Sequence, residues 1–362
     1  MLLQLLLCNE DRYLTLVTTQ CKKNAQIFIF TKTSSYLSVI AKMEIPELSV
    51  EKIGLLVQEE PSQKVYEEFG RSLKKAFSSV GFVFISDHGI DDNLIQKAMQ
   101  NSLDFFALPL NVKESLTCDP QSDQSYVAPG KEIFDQNEDG SKAIHEVREA
   151  YEVIRNSTSS NDAPGLELQP TLVQLALDTK KLADRILIGL AYALDIPDKN
   201  FFVDKHNGMS HTMYISKLRS LFYPPITQEI EHSLQGNEIV RCGEHSDYGT
   251  VTFLYQDDME GLEVRAVDNS WIKATPRKGR ILINVGDLLE NWSDGLFPAT
   301  LHRVVIPPEE FLRKKSRQSI VYFLHPDKDV WIKPLNGSTN PKYTPVNSLD
   351  YLNKRLTETY QK

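Results

Sequence analysis

Cysteine is scarce and scattered. The four in the chain, Cys8, Cys21, Cys118 and Cys242, form no CxxC pair, so the spacing indicates neither a disulfide framework nor a thiolate zinc site. Positive charge is in deficit, 40 Lys+Arg against 49 Asp+Glu for a net charge of −9. That balance excludes a non-specific nucleic-acid binder, whose phosphate contacts need a basic surface. No run approaches the ~18 consecutive apolar residues needed to span a bilayer. The opening "MLLQLLLCNEDRY" is briefly apolar but has no basic n-region, and Asn9-Glu10-Asp11-Arg12 interrupts it. A secretory leader is therefore not expected, and the expected compartment is the cytoplasm. Of three Asn-x-Ser/Thr sequons, at Asn156, Asn291 and Asn336, the middle one lies in the apolar "LLENWSDG", a poor place for a glycan.

What is present is an ordinary globular composition, 41% hydrophobic and 25% charged over 362 residues, long for a single core. Residues 1–42 fit no clear element type and are expected to lie outside the main fold. Residues 43–200 read as a helical region. "SQKVYEEFGRSLKKAFSSV" carries Val65, Phe69, Leu73 and Phe77 at every fourth position, the stripe of an amphipathic helix over Ser62–Val80. The short apolar strand "GFVFIS" follows. A second helix is expected over Asp92–Phe106, stopped by Leu108-Pro109, and a long one over Leu172–Leu194 with Leu182, Ile186, Leu190 and Leu194 on one face. Between them "NSTSSNDAPG" reads as a polar loop.

Over residues 201–335 the texture changes to short β-branched or aromatic runs, "TVTFLY", "LEVRAV", "WIKATP", "RILINV", "LHRVVI", "QSIVYFL" and "DVWIKPL". Their spacing near ten residues, with Gly, Pro, Asp or Asn between them, is that of a sandwich or barrel. Residues 336–362 close the chain with "NSLDYLNKRLTETY", a helix for which Ser348 is the expected N-cap. The fold class expected is α+β with a mainly β core.

His245-Ser246-Asp247 offers an imidazole and a carboxylate at i and i+2, residue types that suit a divalent first-row ion. The motif alone says little. With 8 His and 49 Asp+Glu in 362 residues, about one His-x-Asp/Glu arises by chance at average composition, and a second, His325-Pro326-Asp327, is present. A two-histidine, one-carboxylate site needs a third ligand. His325 has no later histidine to recruit, whereas His245 is followed by His302 in "LHRVVI". Beyond it, Arg317 and Ser319 of "RQSIVYF" sit two apart on one strand. A guanidinium fork with a neighbouring hydroxyl suits a carboxylate-bearing cosubstrate.

These residues, 55 apart from Asp247 to His302, resemble the iron(II)/2-oxoglutarate-dependent dioxygenase superfamily in its isopenicillin-N-synthase-like branch. "HSDYGTVTFL", "NVGDLLENWSDG", "LHRVV", "RQSIVYF", "MEIPELSV", "GFVFISDHGI", "FFALPLNVK", "VREAYEV", "RSLFYPP" and the terminal "YLNKRLTETY" follow that family's order from Ile45 to Tyr360. The resemblance implies a double-stranded β-helix, or jelly roll, framed by N-terminal helices, a long central helix and a C-terminal helix. It implies His245, Asp247 and His302 as ligands of Fe(II). It implies Arg317 and Ser319 as the grip on the distal carboxylate of 2-oxoglutarate, with Tyr223 beside them. Many relatives have asparagine two residues before that tyrosine; here it is Leu221. The implied cofactors are Fe(II), 2-oxoglutarate as cosubstrate and O2, with ascorbate as a reductant. The implied reaction hydroxylates, desaturates or cyclises a small-molecule substrate with release of succinate and CO2, in a monomer with no nucleic-acid or membrane partner. Two alternatives share the fold: an iron oxidase that does not use 2-oxoglutarate, and a catalytically silent small-molecule binding protein.

Other polar residues have plainer roles. Cys242 is expected as a buried free cysteine and His88 as a structural histidine. His211 is expected away from the cavity. Arg148 and Tyr151 divide evenly between facing substrate and packing, and Trp292 and Phe297 between core and pocket wall.

Overall fold

The computed structural model describes residues 5–7, 13–15, 44–116, 124–131, 145–153, 167–207, 216–227, 239–306 and 314–360. The sequon at Asn156, the loop after it and His211 lie outside these. Two compact units result, residues 1–44 and 45–362. In the first, β1 (Leu5–Leu7) pairs antiparallel with β2 (Tyr13–Thr15), a short hairpin that the residue pattern did not announce.

The second unit begins with β3 (Glu47–Ser49), α1 (Gln63–Val80), β4 (Phe82–Ser86), α2 (Asp92–Phe106) and α3 (Leu110–Ser115). There follow β5 (Gln124–Val127), β6 (His145–Glu146), β7 (Glu149–Val153) and α4 (Leu168–Ala193). Then come β8 (Lys217–Tyr223), β9 (Ile239–Val240), β10 (Cys242–His245), β11 (Val251–Gln256), β12 (Leu262–Arg265), β13 (Trp271–Lys273) and β14 (Ile281–Val285). The chain closes with α5 (Asp287–Trp292), β15 (His302–Val304), β16 (Arg317–Leu324), β17 (Trp331–Ile332), β18 (Val346–Asn347) and α6 (Ser348–Tyr360).

The helices start and stop where the chemistry of their ends allows. Helix α1 ends at Gly81, which takes φ 69°, a left-handed cap that glycine adopts without strain, and its N–H reaches the Phe77 carbonyl. Helix α2 matches the expected span, and Asp91 caps it by accepting from the Asn93 N–H. Helix α4 starts a turn earlier than the apolar stripe suggests. Pro170 is tolerated because it falls in the first turn, where no N–H is required. The expected cap of α6 is corrected. Asn347 accepts from the N–H groups of Leu349 and Asp350, while the Ser348 hydroxyl donates instead to the Pro326 carbonyl.

Eight strands form the major sheet, in the order β3-β4-β14-β11-β16-β8-β7-β5, with β10-β15-β12-β13 as the minor one. Within these two sheets all pairs are antiparallel except β3 with β4. The two sheets are the jelly roll. Period-two alternation splits the major sheet into two buried faces. Val83, Ile85, Phe253, Ile320 and Tyr322 pack in one core with Phe77, Leu182, Ile186 and Leu190 of α1 and α4. Phe82, Phe84, Leu221, Tyr223 and Val321 turn the other way, into a second core with Leu262, Val264 and Val304 of the minor sheet. Trp292 and Phe297 belong to the helix-side core, as does Tyr151, whose ring lies 4.7 Å from that of Phe105. His88 is structural, its Nδ1 accepting from the Ile90 N–H.

Candidate metal centre

His245 ends β10 and His302 begins β15, and the antiparallel register sets the two opposite each other. Their ring centroids are 4.2 Å apart. Asp247 comes two residues after His245, where the chain leaves the strand. Its Oδ1 lies 4.0 Å from His245 Nε2 and 3.9 Å from His302 Nε2. One ligand atom from each of the three falls within 4.8 Å of the others, the one such group among the described residues. His325 is buried elsewhere and does not join it; the second His-x-Asp contributes nothing.

Backbone and neighbours fix these side chains. His245 Nδ1 faces the Gly243 carbonyl at 2.8 Å and His302 Nδ1 the Thr300 carbonyl at 3.1 Å. Donation from each Nδ1–H leaves the Nε2 lone pairs directed at Asp247, which is how metal-binding imidazoles are oriented. Burial first, then the neighbouring His245, pushes the His302 imidazole down to about 4, so it is neutral and able to ligate at neutral pH. Burial opposes ionisation of Asp247, but the two imidazoles, the Asn284 amide and the Thr252 hydroxyl outweigh it and hold the carboxyl below its usual range. The Asp287 N–H donates to the Asp247 carbonyl at 2.8 Å. Directly beneath, Gly249 and Gly286 bring two backbones together: a Cβ on Gly286 would collide with the Gly249 carbonyl, and one on Gly249 with the Leu324 carbonyl.

One cavity between the sheets is lined by all three of these residues and by Tyr223, Arg317 and Ser319. Arg317 and Ser319 point the same way from β16, and Arg317 pairs in register with Tyr223. The guanidinium is 1% exposed. It lies 5.0 Å from the centre of the Tyr223 ring, and it donates to Ser319 Oγ at 3.4 Å and Gln256 Oε1 at 3.2 Å. Both acceptors are neutral, and Arg317 Nε has no hydrogen-bond partner. Among the described residues Arg317 makes no direct ion pair; the carboxylate of Asp257, bound to the Gln318 N–H, feels its charge only at longer range. A buried cation supplied only with neutral acceptors is unstable unless an anion joins it, so the donor set fits a carboxylate ligand. The three-residue cluster likewise fits a hard-to-borderline divalent ion.

Of the cavity residues not assigned from sequence as site residues, four stand out for their chemistry. Asn284, on β14, donates to Asp247 Oδ2 at 2.6 Å; it is the first letter of "NVGDLLENWSDG", but only the sheet places it beside Asp247. Arg219 lies two same-face steps from Tyr223 along β8, a position that period-two counting could have found. Arg148 proves to face the cavity, held by Glu146 at 3.0 Å. Cys242 is buried and free as expected, yet it too lines the cavity, with the Arg148 guanidinium 3.3 Å from its sulfur.

Comparison with known proteins bears on this arrangement. Residues 214–326 match the 2OG-Fe(II) oxygenase superfamily, and residues 48–172 match the N-terminal region described as non-haem dioxygenase in morphine synthesis. A 2-oxoglutarate-dependent dioxygenase of Aspergillus rugulosus is 30% identical over 322 residues, covering 81% of this chain and 93% of that protein. A homoarginine-6-hydroxylase of Glycine max is 29% identical over 287 residues, 74% of this chain and 81% of the relative. A full-length Neurospora crassa protein, crystallised in complex with alpha-KG, superposes with a TM-score of 0.71 at 28% identity, covering 86% of this chain and 96% of that one.

Proposed function

The chain belongs to the 2-oxoglutarate/iron(II) oxygenase superfamily, and from that premise we propose how its own residues carry the activity. His245, Asp247 and His302 hold one Fe(II). Arg317 and Ser319, against Tyr223, hold the distal carboxylate of 2-oxoglutarate, and the protein hydroxylates a small molecule with release of succinate and CO2. Iron(II) bound by three protein ligands supplies open positions for cosubstrate and O2, and couples decarboxylation of one to oxidation of the other substrate.

The residues do the rest. The two Nδ1–H···O=C bonds keep the imidazoles in the ligating tautomer. Asn284 occupies Asp247 Oδ2, so that Oδ1 is the atom turned towards both histidines. Arg317 sets the reach and register of the cosubstrate from the far end of the cavity. Leu221, Leu254, Leu262, Val304, Val321 and Phe323 line the wall, which limits water near the reacting groups. Where relatives carry asparagine, Leu221 gives the cosubstrate one polar contact fewer.

The observation that carries the reading is Arg317, a buried guanidinium whose hydrogen-bond acceptors are neutral and whose Nε is unpartnered, in the same cavity as the metal cluster. We propose a cytoplasmic setting; the Asn291 sequon, buried in α5 with its amide donated to the Thr344 carbonyl, has no room for a glycan. The test is anaerobic equilibrium binding of 2-oxoglutarate to the iron-loaded protein, followed by succinate release across a metabolite library. Binding of iron without 2-oxoglutarate would replace this reading with the oxidase of the same fold.

A further inference from the structure

A second buried cation stands at the Arg317 end of the cavity. Arg241 directly precedes β10 and is fully buried, 0% exposed. Its backbone N–H donates to the Val304 carbonyl at 3.1 Å, which ties it to the minor sheet. Cys242, the next residue, lines the cavity, and alternation along the strand turns Arg241 out of the cavity wall. The side chain crosses instead to the chain entering β16 of the major sheet. There its Nη2 donates to the Lys315 carbonyl at 2.9 Å, two residues before Arg317.

That carbonyl is neutral, and it satisfies one nitrogen of three. Arg241 Nε and Nη1 have no hydrogen-bond partner, and among the described residues Arg241 makes no ion pair. Burial, then the charge of Arg317, draws the Arg241 guanidinium below its ordinary value, against the smaller opposing pull of Tyr223 and Asp257. The Asp257 carboxylate feels both arginines. Each of its oxygens accepts from a backbone N–H, Gln318 at 2.6 Å and Met259 at 3.0 Å, and it pairs directly with neither guanidinium. Folding therefore brings two cations together with three of their nitrogens unpartnered, Nε and Nη1 of Arg241 and Nε of Arg317. Such an arrangement costs stability until an anion enters the field of both.

Resting on the functional reading above, we propose that Arg241 is a positioning residue for 2-oxoglutarate: without touching the cosubstrate, its charge strengthens the hold of Arg317 on the distal carboxylate and selects for a dicarboxylate. Arg317 supplies the contact and Arg241 the second charge. At the effective screening of a protein interior, a unit charge within about 10 Å of another changes its binding on the order of tenfold. The unliganded protein carries the repulsion between the two arginines, and the arriving carboxylate relieves it.

The experiment uses the full chain loaded with iron(II) without oxygen. Calorimetric titration compares 2-oxoglutarate with 2-oxopentanoate, which shares the keto-acid end but finishes in a methyl group. Wild type should bind 2-oxoglutarate about a hundredfold tighter or more. Arg241→Met should lose about tenfold or more of the 2-oxoglutarate affinity, while 2-oxopentanoate stays within about threefold. Arg241→Lys keeps the charge and should stay within about threefold of wild type for both acids. Thermal unfolding separates a field from a strut. Without 2-oxoglutarate, Arg241→Met should melt no lower than wild type, and saturating 2-oxoglutarate should raise its melting temperature by less. Should Arg241→Met not fold, Arg241→Gln takes its place; if neither folds, Arg241 is a strut and the inference falls. Unchanged 2-oxoglutarate affinity in Arg241→Met, an equal loss for both acids, a loss as large in Arg241→Lys, or a lower melting temperature without ligand overturns it. A wild type that takes up no 2-oxoglutarate, or binds it no tighter than 2-oxopentanoate, removes the functional reading and this inference with it. A wild type with that preference whose Arg241→Met variant keeps it removes this inference alone.

Discussion

Asn284 Nδ2 donates to Asp247 Oδ2 at 2.6 Å, and by doing so decides which oxygen of Asp247 the two histidines face. A carboxylate free to rotate would present either oxygen. Asn284→Ala should therefore leave the fold intact and weaken iron(II) binding by about 10–100-fold, the usual cost of losing an outer partner of a metal ligand. Equilibrium dialysis of iron against the variant measures it, and wild-type affinity would show that Asn284 has no such role.

The ligand assignment makes a sharper contrast. His302→Ala or Asp247→Ala should abolish binding of one iron(II) per chain and turnover together. His325→Ala should retain full iron stoichiometry, because that histidine stands outside the cluster. Metal analysis of the three purified variants checks this; a fully iron-loaded, active His302→Ala would overturn it.

At the opposite end of the cavity, Lys in place of Arg317 keeps the charge but not the planar two-point contact. Arg317→Lys should weaken 2-oxoglutarate binding by about 2–5 kcal/mol, which at about 1.4 kcal/mol per decade is at least tenfold. Iron affinity should hardly change. Ser319→Ala removes one hydrogen bond to a charged group and should cost less, about 1.5–3 kcal/mol. Titration of the cosubstrate into each iron-loaded variant gives the comparison.

Two buried histidines outside the site set the acid response. Burial pushes His206 down to about 3 and His325 to about 4, against an ordinary value near 6.5. Both are neutral in the folded and unfolded states above that value. As pH falls below about 6.5 the unfolded chain takes up protons that the folded chain refuses, so stability falls, by about 1.4 kcal/mol per pH unit for each fully titrating histidine. Denaturant unfolding at pH 7 and pH 5 should show a marked loss. His325→Gln should flatten that dependence, and an unchanged slope would mean His325 charges freely in the folded protein.

The sequence determined the helices and the strand alphabet. Phe69, Leu73 and Phe77 recur at helical spacing, and "QSIVYFL" alternates at two, because local periodicity follows from backbone geometry alone. It also singled out His245, Asp247 and His302 among the polar residues, since they recur in the family's order with Arg317 and Ser319 beyond them. It did not determine the cap of α6, where Ser348 and Asn347 are equally good cap formers and only the Pro326 carbonyl settles their roles. Nor could it place Asn284 beside Asp247 or Arg219 across from Val321. Those meetings depend on strand order and register, which bring together residues 37 and 102 positions apart. Period-two counting tells which face a side chain takes, but not which neighbour the sheet will set against it.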